Sequence, residues 1–312
     1  MKKLAIIGEC MVELSGEPFG MMFQSYGGDT LNTATYLARI SRREDLDIVY
    51  ITVLGRDHLS DQMLTFWQKD GINTDFVLRD PERLVGLYLI QLDTKGERTF
   101  LNWRRESAAR YLLQHQEYKR ILAYLTQCDM IYLSGISLAI LPKEDRESLL
   151  TQLQLLAIKG VKIVFDSNYR QSLWCSTLEA QHCYEQLLPY LHLIIVTAED
   201  EYALWHDRHL VDIKQRLQPF RIPHVVIKVG KDGAHYVSSD GHHIHIPAQP
   251  IEKVIDTTSA GDAFNAGFLA GYLKGKSIQQ CCQQGNLLAG IVIQHKGAII
   301  SSEATQHFIK QF

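Results

Sequence analysis

The sequence lacks the long apolar runs that are typical of membrane-spanning proteins and the basic excess that is typical of nucleic-acid-binding proteins. Its 312 residues contain no apolar run near the ~18 residues of a membrane-spanning helix. The net charge of −3 and the pI of about 6.5 leave no basic surface for nucleic acid or an anionic membrane. We therefore expect neither a membrane nor a nucleic acid as partner.

Cysteine motifs and linkers are missing as well. The six cysteines show no CxxC pair and no zinc-like spacing, which favours a reduced, cytoplasmic setting. No Pro-rich linker, internal repeat or low-complexity tract divides the chain. The length allows two tightly joined domains, but one α/β unit over 1–312 with an insertion fits as well, and we predict the single unit.

The chain does show an alternation of short apolar runs and helix-length segments. The runs with the length of strands buried on both faces are 4–8, 48–53, 130–133, 161–165, 193–196 and 225–227. Helix-length segments between them include 30–40, 59–69, 143–158 and 177–188. This alternation predicts a mostly parallel sheet covered by helices on both faces, with ligands bound beyond the carboxyl ends of the strands.

Two segments, approximately 9–27 and 83–105, break this alternation. The first is rich in Gly and Met, and the second reads as strand, turn (93–97), strand. If that hairpin is symmetric about its turn, the side chains that share one face are Tyr88, Asn102 and Arg104. The pattern fits a small β-sheet lid, and it also fits an ordinary solvated face of an antiparallel sheet.

The stretch from Asp256 to Asp262 carries the clearest chemical signal. An apolar run follows it at 263–270 and predicts a buried helix. Backbone amides at a helix start have no partner within the helix, and the small Ala260 and Gly261 leave them open to a phosphate. Asp262 then suits a base that deprotonates the attacking hydroxyl. A Ser/Thr-rich cap of a packed helix explains the spacing equally well.

Other polar residues follow a glycine turn or a strand end. Gly28 permits close backbone approach, Asp29 or Thr30 can cap the next helix, and Asn32 lies one turn inside it. Arg170, beyond a strand end, could hold a carboxylate or phosphate through two hydrogen bonds or form a surface ion pair. The turn at 230–233 fits a hairpin or the edge of a nucleotide site.

Together, the stretches 27–32 and 256–262 resemble the two signatures of the ribokinase-type sugar kinase family. They occur in the family's order and separation, although Ser259 stands where the family usually has Gly. Through 7–14, 27–38, 132–140 and 166–174, the chain is most similar to the sugar-acid kinases of that family. The resemblance implies a three-layer α/β/α ribokinase-like fold with a small β lid. It also implies phosphoryl transfer from ATP, with Mg²⁺, to the terminal hydroxyl of a 2-keto-3-deoxy sugar acid.

The resemblance also implies roles for individual residues. Asp262 is implied as the catalytic base, with Ala260 and Gly261 as anion-hole amides. The residues implied as substrate contacts are Gly28, Asp29, Asn32, Tyr88, Asn102, Arg104, Arg170 and Asp262. The residues implied as nucleotide contacts are Asn168, Lys228, Gly230, Gly233, Ser259, Ala260, Gly261 and Asn286. The family's N-x-x-E magnesium element is not intact, so the metal ligands stay open among Glu199, Asp200 and Glu201.

The residues themselves favour an acidic sugar. Arg104 and Arg170 could pair with its carboxylate, whereas a neutral sugar would leave two arginines unpaired at a desolvation cost. Two alternatives stay open: a kinase of another sugar such as fructose or of a nucleoside, and a non-catalytic sugar-binding regulator. The expected partners are a small-molecule sugar acid and ATP, and self-association into a homo-oligomer stays open.

Overall fold

The computed structural model describes residues 1–92 and 98–309, and a nine-stranded sheet forms its centre. Its strands, in spatial order, are β13 (His243–Ile246), β12 (Ala234–Ser238), β11 (His224–Lys228), β10 (Leu193–Thr197), β9 (Lys162–Asp166), β8 (Met130–Ser134), β1 (Lys2–Ile7), β4 (Leu46–Gly55) and β5 (Val77–Asp80). All neighbours from β11 to β5 pair in parallel, and β12 and β13 add an antiparallel edge. The predicted mostly parallel sheet is confirmed.

Helices cover both faces of this sheet. They are α1 (Asp29–Ile40), α2 (His58–Asp70), α3 (Tyr118–Leu125), α4 (Gly135–Ala139), α5 (Lys143–Ile158), α6 (Thr177–Leu187), α7 (Ala198–Trp205), α8 (Leu210–Leu217), α9 (Ala260–Leu273), α10 (Ile278–Val292) and α11 (Ser302–Ile309). Successive residues of β1 enter opposite cores, since Ala5 packs in the cluster with α5 and Leu4 in the cluster with α9. The three-layer α/β/α fold is therefore confirmed. Within the described residues, no helix is both long and apolar enough to cross a bilayer.

A separate four-stranded sheet is built from the two segments that interrupt the α/β alternation. Its strands, in spatial order, are β3 (Met22–Gly27), β2 (Met11–Gly16), β6 (Gly86–Leu92) and β7 (Arg98–Trp103). Tyr88 lies opposite Asn102, as the symmetric hairpin predicts. The predicted turn at 93–97 lies outside the described residues. The role of this small sheet as a lid stays a prediction.

Helix α9 is buried along almost its whole length, from Ala263 to Gly271. Its small residues let it approach α10 closely, because a Cβ on Gly267 would lie 2.6 Å from the Gln284 carbonyl oxygen. The predicted buried helix and its start at Ala260 are confirmed. This packing leaves the amino end of α9 beside the carboxyl ends of the central strands.

Candidate active site

Asp262 lies in the first turn of α9, where it meets the first turn of α1. Its Oδ2 accepts a hydrogen bond from Asn32 Nδ2 at 2.8 Å. Thr33 Oγ1 joins the two helix starts, since it contacts the backbone oxygens of Asp29 at 3.1 Å and Asp262 at 3.3 Å. The two motifs that are 230 residues apart in sequence therefore form one site.

The surroundings of Asp262 raise the pKa of its carboxyl from 3.8 to about 7. Removal from water is the largest cause, and the negative charge of Asp29 adds to it. The hydrogen bond from Asn32 and the positive charge of Lys228 act in the opposite direction. A carboxyl with a pKa near neutrality suits a general base, because it is partly ionised at neutral pH and still basic enough to accept a proton.

A buried cluster of polar residues lies directly behind the amino end of α9. Lys228, at the end of β11, contacts Asn265 Oδ1 at 3.2 Å and Asp166 Oδ2 at 3.4 Å. Asn265 Nδ2 donates to Asp166 Oδ2 at 2.6 Å. A Cβ on Gly261 would lie 3.2 Å from Lys228 Nζ, so this ammonium group borders the helix start. The positive charge and the helix dipole therefore favour an anion at the same place.

The backbone amides at this helix start are not equivalent. The Ala260 N–H donates to the Thr257 carbonyl oxygen at 3.2 Å, whereas the Gly261 N–H has no hydrogen-bond partner among the described residues. Ser259, just before the helix, adopts a left-handed conformation with φ 64° and ψ 10°. A residue with a Cβ pays about 1–2 kcal/mol for that conformation, which explains why glycine suits this position. Gly261 is therefore the better placed of the two predicted anion-hole amides.

At the start of α1, the predicted close backbone approach at Gly28 is confirmed, and the predicted side-chain cap is wrong. Gly28 does permit close approach, because a Cβ there would lie 2.2 Å from the Glu9 carbonyl oxygen. Neither Asp29 nor Thr30 caps the helix, since Gly28 occupies the N-cap position without a side-chain hydrogen bond. The Asp29 carboxylate instead accepts a hydrogen bond from Asn168 Nδ2 at 2.6 Å, and burial raises the pKa of Asp29. Asp29 and Asn168 thus join the polar residues around Asp262.

The predicted sugar contacts of the small sheet have protein partners of their own. The Tyr88 hydroxyl donates to Glu13, and Arg104 Nη2 forms an ion pair with Glu9. Asn102, on the neighbouring strand, is exposed.

Arg170 is also paired, with Asp200 at 3.1 Å. The expectation that a neutral sugar would leave two arginines unpaired is therefore wrong, because Glu9 and Asp200 already balance their charges.

Two of the three acids at the position of the magnesium element form ion pairs with arginines. Asp200 pairs with Arg170, and the buried Glu201 pairs with Arg216 at 2.6 Å, while Glu199 is exposed. In the part of the chain that the structure describes, no three His, Cys, Asp or Glu residues gather in a way that could hold a metal ion. Which acid contacts magnesium stays open. Two buried carboxylates in this region each keep an oxygen that has no described partner, Asp166 Oδ1 and Glu201 Oε1.

Three of the predicted nucleotide contacts, Gly230, Gly233 and Asn286, lie in or beside the turn between β11 and β12. Gly230 and Gly233 have φ values of 58° and 96°, and a Cβ on Gly233 would lie 2.2 Å from the Ile246 carbonyl oxygen. Asn286 Nδ2 donates to that same oxygen at 3.1 Å. Turn geometry alone explains the two glycines. Their contact with a nucleotide stays a prediction.

Sequence reasoning overlooked several polar residues of the site. Glu13 binds Tyr88, and Glu9 binds Arg104 and accepts a hydrogen bond from Ser107. Asn265 joins Lys228 to Asp166. Asn265 could have been found, because it lies one turn after Asp262 on the same face of α9. The glutamates gave no such signal, since their partners are distant in sequence.

Comparison with known proteins agrees with this geometry. Residues 1–305 match the model of the pfkB family carbohydrate kinases, and the chain belongs to that family. It is 58% identical over 316 residues to the 2-dehydro-3-deoxygluconokinase of Haemophilus influenzae, with all of both chains covered. It is 44% identical to the enzyme of that name from Dickeya dadantii, over 97% of this chain and 98% of that one. A crystal structure of a putative ribokinase II from E. coli with ATP and Mg²⁺ has the same fold, with a TM-score of 0.83 at 20% identity and full coverage of both chains.

Proposed function

We propose that this chain transfers the γ-phosphoryl group of ATP to the terminal (C6) hydroxyl of 2-dehydro-3-deoxy-D-gluconate. The 58% identity to a kinase named for that substrate supports the choice of sugar. The observation that carries the chemistry is Asp262, a carboxyl with a pKa of about 7 at the amino end of a buried helix, beside a buried lysine.

Each group has a distinct task in the proposed reaction. Asp262 accepts the proton of the sugar hydroxyl as that oxygen attacks the γ-phosphorus in line with the leaving group. The Gly261 amide and the Lys228 ammonium group stabilise the negative charge on the phosphoryl oxygens. The Ala260 amide joins them only when its N–H leaves the Thr257 carbonyl oxygen. Asn32 holds the Asp262 carboxylate in place through its hydrogen bond.

The residues present also fit a nucleotide triphosphate. Three groups offer hydrogen-bond donors to phosphate oxygens. They are the Gly261 amide, the Lys228 ammonium group that borders it, and the enclosed Ser259 Oγ, which has no described partner. Magnesium, held largely by the phosphates and water, would supply charge neutralisation. Asn168, Gly230, Gly233 and Asn286 are proposed to line the rest of the nucleotide site.

The proposal includes self-association through the small sheet. Its strands expose large apolar side chains, among them Phe23 (73% exposed), Trp103 (58%) and Phe100 (49%). An apolar face of this kind is typical of an interface, and a second copy of this chain would cover it. Light scattering of the purified protein tests this point, and a monomer at all concentrations would contradict it. A cytoplasmic location is likewise proposed and is testable by cell fractionation.

A coupled phosphorylation assay tests the proposed function. We expect ATP-dependent turnover with 2-dehydro-3-deoxygluconate that greatly exceeds turnover with gluconate or fructose. Faster turnover with fructose or a nucleoside would favour the alternative of another sugar kinase on this fold. Absence of turnover with every sugar would favour a sugar-binding regulator, although Asp262 argues against it because binding alone needs no base.

A further inference from the structure

Glu9 is a buried carboxylate that none of the proposed catalytic steps uses. It follows β1, it is 3% exposed, and it accepts hydrogen bonds from Arg104 Nη2 and Ser107 Oγ. Its two carboxylate oxygens therefore each have a donor. A carboxylate so deeply buried is tolerated only because both oxygens are paired.

Glu9 also connects the central sheet to the small one. Its carbonyl oxygen packs against Gly28, where a Cβ would lie 2.2 Å away, and its Oε1 packs against Gly86, where a Cβ would lie 3.2 Å away. Removing one partner from a buried ion pair is strongly destabilising. We therefore expect the Arg104–Glu9 pair to persist when a ligand binds, so that the ligand contacts the other N–H groups of Arg104.

Arg104 keeps such donors. A guanidinium group carries five N–H donors and no acceptor, and Glu9 uses only the Nη2 side. Arg104 Nε is enclosed and has no hydrogen-bond partner among the described residues. The carboxylate of a bound ligand would supply an acceptor for an N–H group of this kind.

We propose that Glu9 is a positioning residue: it fixes Arg104 through Nη2, so that the remaining N–H groups of Arg104 receive the carboxylate of the sugar acid. The inference rests on the proposed function, which assigns Arg104 to the sugar. Because Glu9 already balances the charge of Arg104, preference for an acid over a neutral sugar depends on the orientation of these N–H groups rather than on an unpaired cation.

Glu9→Gln tests this role, because glutamine keeps the size and one acceptor oxygen but lacks the charge. We expect KM for 2-dehydro-3-deoxygluconate to rise about tenfold, the worth of one charge-assisted hydrogen bond, while kcat and KM for ATP change less than about threefold. Asp70→Asn is the matched control, since it removes the carboxylate from another largely buried pair, Arg39–Asp70 at 2.8 Å. The control should lower the melting temperature and leave both KM values unchanged.

Two further variants keep the test decisive if Glu9→Gln folds poorly. Ser107→Ala removes one donor to Glu9 and should raise only the KM for the sugar acid, by about two- to threefold. Arg104→Lys should raise the same KM, and adding Glu9→Gln to it should have little further effect.

Three results would overturn the inference. They are an unchanged KM for the sugar acid in Glu9→Gln or Ser107→Ala, an equal rise in KM for the sugar acid and for ATP, and additive effects of Glu9→Gln and Arg104→Lys on KM for the sugar acid. Failure of the proposed function is seen separately, as a wild-type protein that does not phosphorylate the sugar acid.

Discussion

Asp262→Asn should abolish most turnover and at the same time make the protein more stable at alkaline pH. Asparagine keeps the shape of the side chain and still offers an oxygen to Asn32 Nδ2, which now bonds Asp262 at 2.8 Å. It cannot accept the proton of the sugar hydroxyl. Loss of a positioned base lowers kcat by about 10²–10⁴.

The stability gain follows from the pKa. Because the carboxyl has a pKa of 3.8 in the unfolded chain and about 7 in the folded chain, the folded state is least stable, relative to the unfolded state, once pH exceeds 7. A shift of about three pKa units corresponds to about 4 kcal/mol, and partial exposure reduces it, so we expect a gain of about 1–3 kcal/mol at pH 8. Below pH 4 the gain should vanish, because the carboxyl is then neutral in both states.

The assays are a coupled kinase assay and urea unfolding at pH 4 and pH 8. Asp129→Asn is a suitable control, because its exposed carboxylate accepts one backbone hydrogen bond at 2.7 Å near the start of β1. It should change neither turnover nor stability by much. Near-wild-type turnover in Asp262→Asn would refute the base assignment, and equal stability at pH 8 would refute the raised pKa.

Three further predictions concern the same site. kcat/KM should fall tenfold per pH unit below about pH 7 as Asp262 gains its proton, and a flat profile from pH 5 to 8 would contradict this. Lys228→Met should lower kcat at least about tenfold, because the phosphoryl oxygens lose a nearby positive charge. It should also lower the free energy of unfolding in urea by about 3–5 kcal/mol, because Asp166 loses its buried cation. Adding Asp166→Asn to this variant should restore stability but not turnover. Ser259→Gly should raise the free energy of unfolding by about 1 kcal/mol, because glycine adopts the left-handed conformation without strain. It should raise KM for ATP only a few-fold. A loss of stability would contradict the strain assigned to Ser259.

The sequence was sufficient to predict the architecture, because burial on both faces imposes apolar runs on parallel strands. It also predicted the start of α9 at Ala260 and the pairing of Tyr88 with Asn102. Both depend on local spacing, which a sequence displays directly.

Long-range pairing could not be predicted in the same way. Nothing near Arg104 indicates that Glu9, 95 residues away, balances its charge. The argument that both arginines would wait unpaired for a sugar acid failed for that reason. Asp29 gave a related error: a helix-start Asp usually caps, but here burial beside Asn168 engages its carboxylate instead.

The most direct test of the central claim is a crystal structure with a non-hydrolysable ATP analogue and 2-dehydro-3-deoxygluconate. We expect the γ-phosphate to accept the Gly261 N–H, with the terminal hydroxyl of the sugar within about 3 Å of the Asp262 carboxylate. A γ-phosphate bound away from the amino end of α9, or a sugar hydroxyl out of reach of Asp262, would contradict the proposed mechanism.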